Sequence, residues 1–304
     1  MPIARSIRFV LDVVVATSLA FVAPSVAAPP RPVVVETWNL RFDTEADGEH
    51  AWPRRAEAVL ARMADLNADV VSLQEILPHQ MTEIRAALPG HDGLTRSREA
   101  DPAVGEAIPL LWRRDRWRLD PDHHGHLWMS ETPEVPGSRS WDAACTRMTS
   151  WARLVPVDLT TGDRPMWVYS THFDHKGRQA RREAARLLAR HIANRPAACT
   201  DEPVIVMGDL NADPDSPPLS VLVRGEDDGA RLVDAWAWTH PEGDPDAVRN
   251  ATWNGFRNVE TGRRIDFVLV DGFEIRNTVI DRPLIEGRPL SDHWPVRATL
   301  IPEG

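Results

Sequence analysis

Apolar residues in this chain gather into short, nearly unbroken runs, and most of these runs stop at a polar side chain. Val33-Val34-Val35 leads through Thr37 and Trp38 to Asn39, and Val70 to Leu73 leads through Gln74 to Glu75. Met166 to Tyr169 runs toward His172, and Val204 to Met207 delivers Gly208-Asp209-Leu210-Asn211. Runs this short and this rich in β-branched residues predict buried strands. A further strand is expected over 265–270, with Asp266 near its beginning, and a final one over 296–301, just after Asp292 and His293. Residues 106–112 read as a strand near a sheet edge, because Pro109 cannot donate to a central ladder. Residues 153–159 and 166–172 read as an antiparallel pair joined across Thr160-Thr161-Gly162-Asp163.

Two segments carry the helical period instead. Over 54–66, Val59, Met63 and Leu66 recur at helical spacing, Leu60 widens the stripe and Pro53 suits the first turn. Over 179–194, Ala180, Ala184, Leu187, Leu188 and Ile192 form one apolar stripe, with arginines filling the other face. Many strands and few helices predict an α/β sandwich in layers, with polar residues collected at one edge.

The N-terminus has a different pattern. Arg5 and Arg8 precede an apolar stretch from Phe9 to Val22, broken by Asp12, and Ser25-Val26-Ala27 offers a small-x-small cleavage site. This predicts a signal peptide over 1–27, export to the periplasm or medium, and no stable membrane span. Residues 28–304 show no linker or repeat and read as one domain, expected to be a monomer. Losing Arg5, Arg8 and Asp12 moves the net charge from -10 to -11. An acidic chain whose only lysine is Lys176 lacks the cationic stripe of a non-specific nucleic-acid clamp. Cys145 and Cys199 are the only cysteines; export would let them close a disulfide, the alternative being two separate thiols.

The polar strand ends suit one kind of chemistry. Phosphoester hydrolysis needs a charge sink for the non-bridging oxygens, an oriented water and help for the leaving oxygen. Glu75 is a hard oxygen ligand suited to Mg²⁺ or Mn²⁺, and the chain has no thiolate cluster or His-x-x-x-His pairing of the kind zinc favours. Asp266 and His293 would form a carboxylate–imidazole pair, and Asp209 and Asn211 stand two residues apart, able to address one water and one phosphoryl oxygen. His172 adds a donor. Singly, each has a bland reading as a turn-former or a satisfied core residue.

Taken together, Trp38-Asn39-Leu40-Arg41-Phe42-Asp43, Gln74-Glu75, Thr171-His172-Phe173-Asp174-His175, Gly208-Asp209-Leu210-Asn211, Ile265-Asp266-Phe267 and Ser291-Asp292-His293-Trp294-Pro295-Val296 resemble the endonuclease/exonuclease/phosphatase superfamily, which has the DNase I-like fold. The resemblance spans about residues 33 to 301. Gly105-Glu106, the segment from Glu131 to Ser138, Trp141 to Cys145 and the Arg-rich helix are similar to a secreted bacterial branch, with some likeness to the deadenylase and nocturnin group.

The resemblance implies a four-layered αββα sandwich with a Mg²⁺ or Mn²⁺ site at one edge. Glu75, Asn39 and Asp292 would serve the metal. Asp209 would orient or deprotonate water, Asn211 would bind a phosphoryl oxygen, His172 would assist the transition state or leaving group, and His293, oriented by Asp266, would contact the phosphate. The proton acceptor is Asp209 or His293. One departure from the resemblance stands out: Tyr169 is the only tyrosine and lies inside the strand before His172, so the place of the tyrosine that many nuclease members set near the phosphate is expected to go to a Trp or Arg from 141–153.

Substrate contacts are expected from Glu106, Arg147, Arg98 and Trp253, and from Asp174 unless it caps the next helix. Trp141, Trp151 and Trp253 are read as loop residues able to line a pocket, and His123-His124-Gly125-His126 as a solvated loop. The expected activity is hydrolysis of a phosphoester, in a small phosphorylated molecule, a nucleotide or a nucleic acid cut as an exonuclease or endonuclease would. The rival reading is a binding module that keeps the fold without turnover.

Overall fold

The structure, a computed structural model, describes residues 30–225 and 229–303. The expected signal peptide lies outside the described residues. The chain runs β1 (Val33–Asn39), α1 (Trp52–Leu66), β2 (Val70–Gln74), α2 (Pro78–Ala87), β3 (His91–Leu94), β4 (Leu110–Arg113), β5 (Trp117–Trp128), β6 (Met148–Pro156), β7 (Met166–His172), α3 (Arg178–Ala193), β8 (Val204–Asp209), α4 (Pro217–Arg224), β9 (Val233–Asp234), α5 (Ala235–Thr239), β10 (Asp266–Asp271), β11 (Phe273–Ile280), β12 (Leu284–Ile285), β13 (Arg288–Pro289) and β14 (Val296–Pro302).

The strands form two six-stranded sheets, ordered β11-β14-β1-β2-β4-β3 and β5-β6-β7-β8-β10-β9. Apolar side chains from the inner faces, among them Val33, Val35, Val70, Met166, Val168, Ile205, Met207, Val268 and Val296, make the central core. Strand alternation sends the next residues outward. Trp38, Val71 and Leu73 of the first sheet pack under Val59 and Met63 of α1 and Ile84 of α2. Tyr169, Val204, Val206 and Phe267 of the second sheet pack under Ala184, Leu188 and Ile192 of α3 and Leu219 of α4. Helix, sheet, sheet, helix is the four-layered αββα sandwich.

Each sheet is built around one βαβ unit. In the first, β1 and β2 run parallel with α1 between them; in the second, β7 and β8 run parallel with α3 between them. A parallel pair needs a crossover, so both chains leave their strands at the same end of the sheet. Register then lines up the polar residues: His172 lies opposite Asp209, Asp209 opposite Asp266 across the antiparallel β8–β10 pair, and Asn39 opposite Gln74. Near this end the space between the sheets is polar, where Ser72 and Ser170 share a 2.7 Å hydrogen bond and Gln74 Nε2 donates to Ser72 Oγ at 2.8 Å.

The strand expected over 106–112 is β4, one place in from the edge strand β3 and shorter than expected, with Pro109 just ahead of it, its carbonyl accepting from the Leu73 N–H. Two sequence expectations are corrected. His123 to His126 belong to β5, whose register shifts between Leu119 and His124 to absorb the polar insertion. Trp151 lies within β6 and stacks on Trp167 at 5.7 Å between ring centroids. Both cysteines are free, Cys145 beside the cavity described below and Cys199 buried under the second sheet's helices. Among the described residues no helix is long and apolar enough to cross a membrane.

Candidate active site

At the first sheet's edge, Asn39 is fully buried, and its amide nitrogen donates to Glu75 Oε1 at 3.0 Å and to Asp209 Oδ2 at 3.2 Å, stitching the two sheets together. Its oxygen accepts from the Arg41 backbone at 3.0 Å. Glu75 leaves β2 at φ +63°, a left-handed conformation that turns the chain out of the sheet at the carboxylate. Its Oε2 accepts from the Phe42 backbone at 3.3 Å.

The second sheet supplies the reactive group. Asp209 is buried; Oδ1 accepts from the Asn211 backbone at 2.8 Å, and Oδ2 lies 3.3 Å from His172 Nε2 and 3.9 Å from His293 Nε2. Arg147 NH1 stands 2.9 Å from His172 Nδ1 and NH2 3.2 Å from His175 Nδ1. A guanidinium has no acceptor, so both imidazole Nδ1 atoms must accept, and the His172 proton sits on Nε2, facing Asp209. Asn211 Nδ2 donates to the Phe173 carbonyl at 3.1 Å. At the next strand, His293 Nδ1 stands 2.8 Å from Asp266 Oδ2, while the second Asp266 oxygen is buried without a partner.

The charges sort themselves. Burial, reinforced by Arg147, pushes His172 down to about 4, leaving it neutral at pH 7. Burial would likewise lower His293, but Asp266, then Asp209 and Asp292, raise it well above the ordinary imidazole value. Burial works to raise Asp209; the facing His172, His293 and the Asn211 N–H overcome it and hold the carboxyl well below its usual range. Burial raises Asp266 to about 6, against the pull of His293. Burial, with Glu75 adding to it, also raises Asp292.

These groups face one cavity of about 420 Å³. Glu75, His172, Asp209, Asn211, Asp292 and His293 line it, as do Glu106, Arg147, Arg98 and Trp253. Asn39 and Asp266 stand behind the wall, holding Glu75 and His293. Asp174 is absent from the lining: its carboxylate accepts from the backbones of Ala144, Cys145, Lys176 and Gly177, which fixes the turn into α3. The first N–H groups of α3 itself go to Asp142, at 3.3 and 2.7 Å from Gln179 and Ala180, so Asp174 holds the turn and not the helix end it was expected to cap. Tyr169 is buried in the outer core with its hydroxyl 3.3 Å from His191, and Arg147 occupies the cavity side instead. Sequence reading missed Arg41, Phe42, His175, Arg263 and Cys145 as wall residues. Arg41 and Phe42 directly follow the Asn39 signature, and His175 follows His172, so proximity was the available signal.

The family model for the Endonuclease/Exonuclease/phosphatase family matches residues 37–293. The chain belongs to this family. No curated protein matches it by sequence. Among solved structures, an endonuclease/exonuclease/phosphatase from Bacteroides vulgatus is similar at 30% identity and TM-score 0.78, covering 90% of this chain and 100% of that one. A mannosyl-6-phosphatase from Bacteroides thetaiotaomicron is similar at 26% identity and TM-score 0.75, covering 88% and 99%. The catalytic domain of human Nocturnin shares the fold, at 18% identity and TM-score 0.67, covering 90% and 96%.

The residues fit the divalent cation typical of the endonuclease/exonuclease/phosphatase family. Glu75, Glu106 and His172 offer ligand atoms all within 4.8 Å of one another, as do Asp209, Asp266 and His293, and Cys145, Asp174 and His175. Of these groups the Glu75 carboxylate is the one open to a cation: both His172 nitrogens are taken, by Arg147 and by the proton that faces Asp209, and His293 is charged and committed to Asp266.

Proposed function

We propose that the chain is an exported, divalent-metal-dependent phosphoester hydrolase that uses in-line attack by water on a compact phosphorylated substrate. The observation that carries this reading is the deprotonated, buried Asp209 carboxylate held between a neutral His172 and a charged His293 on one cavity wall, with Glu75 tied to the same point through Asn39.

Glu75 and Asp292 would hold Mg²⁺ or Mn²⁺, with Asn39 fixing Glu75 in place. The cation, when bound, supplies a sink for phosphoryl charge and lowers the pKa of the attacking water. Asp209, held ionised and therefore a weak base, acts first to orient that water and takes its proton only as the new bond to phosphorus makes it acidic; His293, already protonated, is a donor to the phosphate and not a base. Asn211 offers its amide to a phosphoryl oxygen. Neutral His172 places its Nε2–H where negative charge grows, and Arg147 adds a fixed positive charge. Arg98, Arg147 and Arg263 on the wall suit an anionic substrate, and Trp253 offers a face for the group that leaves. The likeness to a mannosyl-6-phosphatase supports a small phosphomonoester over a nucleic acid, as does the chain's acidity. Export rests on the sequence of residues 1–27, and its test is N-terminal sequencing of the protein recovered outside the cytoplasm.

Chelation with EDTA is expected to abolish hydrolysis of hexose 6-phosphates and generic phosphodiesters, and Mg²⁺ or Mn²⁺ to restore it. Full activity of a Glu75→Ala variant would contradict the mechanism.

A further inference from the structure

A second hollow, of about 650 Å³, opens beside the catalytic cavity between the first turn of α3 and the segment that enters α4. Asn211 and Arg263 line both, so the two spaces adjoin at a residue assigned to the phosphoryl group. Arg178, Arg181 and Arg182 line the far side of this hollow.

The charges there do not cancel. Arg263 pairs with Asp213 at 3.2 Å, on an exposed rim. Glu183 is engaged by Arg186 at 2.8 Å. Arg181 donates to the Asp174 carbonyl at 2.7 Å; burial, with Arg263 and Arg178, lowers its pKa against the opposing pull of Asp174 and Asp142. Arg178 and Arg182 have no carboxylate within ion-pair distance among the described residues. Four guanidinium groups line the hollow against two carboxylates, Glu183 and Asp213, a local cationic surplus that an anionic group would balance on a chain of net charge -10. The planar fork of arginine matches phosphate better than it matches most other anions.

We propose that this shelf binds a second phosphate of the substrate, so that the preferred substrates are small molecules carrying two phosphate groups. The inference rests on the hydrolase reading above. The scissile phosphate occupies the cavity at Asn211, and the second reaches past Arg263 to Arg178 and Arg182. A long nucleic acid is the poorer fit, since it would need cations well beyond one shelf, and the chain has a single lysine.

The test compares fructose 1,6-bisphosphate with fructose 6-phosphate under Mg²⁺ or Mn²⁺. The wild-type chain is expected to favour the bisphosphate in kcat/KM by roughly tenfold, the gain of one good charge-assisted contact. An Arg178→Ala/Arg182→Ala double variant should bring the ratio close to one, mainly through KM, and an Arg178→Lys/Arg182→Lys variant should keep most of it. Calorimetric titration of both sugars in EDTA reads binding without turnover and should give the same ranking. Equal use of the two sugars by the wild type, or a preference that survives in the alanine variant, overturns the shelf. If neither sugar is hydrolysed the hydrolase reading falls, and the calorimetric ranking alone then decides the subsite.

Discussion

Arg147 shows how one side chain can set the protonation state of another. Its NH1 contact at 2.9 Å forces His172 Nδ1 to accept, which leaves the Nε2 proton pointing at Asp209. Lysine would restore the charge but not two donors in a rigid fork, and the second donor reaches His175. An Arg147→Lys variant should therefore lose roughly 100-fold in kcat, the order of one transition-state donor, with a smaller change in KM. Asp209→Asn, which keeps the size and removes the proton acceptor, should cost roughly 10²–10⁴-fold. Steady-state kinetics on a hexose phosphate checks both, and near-wild-type rates for Asp209→Asn would remove Asp209 from the proton-accepting role.

At the scale of elements, the parallel strand pairs decide where the chemistry sits. β7 and β8 approach so closely that a Cβ on Gly208, which adopts φ +148°, would lie 1.9 Å from the Thr171 carbonyl. Gly208→Ala should thus cost at least about 1–3 kcal/mol of stability, read as a lowered urea midpoint, and should displace the adjacent Asp209. The same elements explain what the sequence made legible. β1, β2, β7, β8 and β10 are largely apolar and buried almost throughout, by a sheet on one side and helices on the other, and β14 alternates buried with half-buried positions, so all six read as strands without tertiary knowledge. Their terminal residues carried the site signatures with them. β5 was hidden because it is a bulged edge strand holding Asp120, Pro121 and Asp122, and α2 because only Met81 and Ile84 of its apolar side chains are buried. Arg147 is expected at the substrate from the sequence, but its hold on His172 and His175 comes from cross-strand geometry, which no periodicity records.

The whole molecule balances its two ends. One end gathers carboxylates and imidazoles around a cavity, at an electrostatic cost; the other is tied by a single buried guanidinium. Arg116 is 7% exposed and spends its donors on Asp69 of the first sheet at 2.9 Å, Asp163 of the second at 2.8 and 3.1 Å, and the carbonyls of Arg31 and Pro32 ahead of β1. Removing it leaves Asp163 to the half-exposed Arg31 and Asp69 to the longer Arg113 contact at 3.8 Å and the Val34 N–H, so Arg116→Ala should lose about 3 kcal/mol at pH 7, the low end for breaking a buried pair. Acid should narrow the difference. Burial works to raise Asp163, but hydrogen bonds from Arg116 and Arg31 outweigh it and hold the carboxyl below its ordinary value. A depressed carboxyl pKa contributes stability above the unfolded value, and that contribution disappears as pH falls through the folded one. Denaturant titrations of both chains at pH 7 and at pH 3 would show the gap closing from the wild-type side. A gap that stays constant across that range would mean that Arg116 acts by packing alone, and that the far end of the sandwich is held by its apolar core without help from charge.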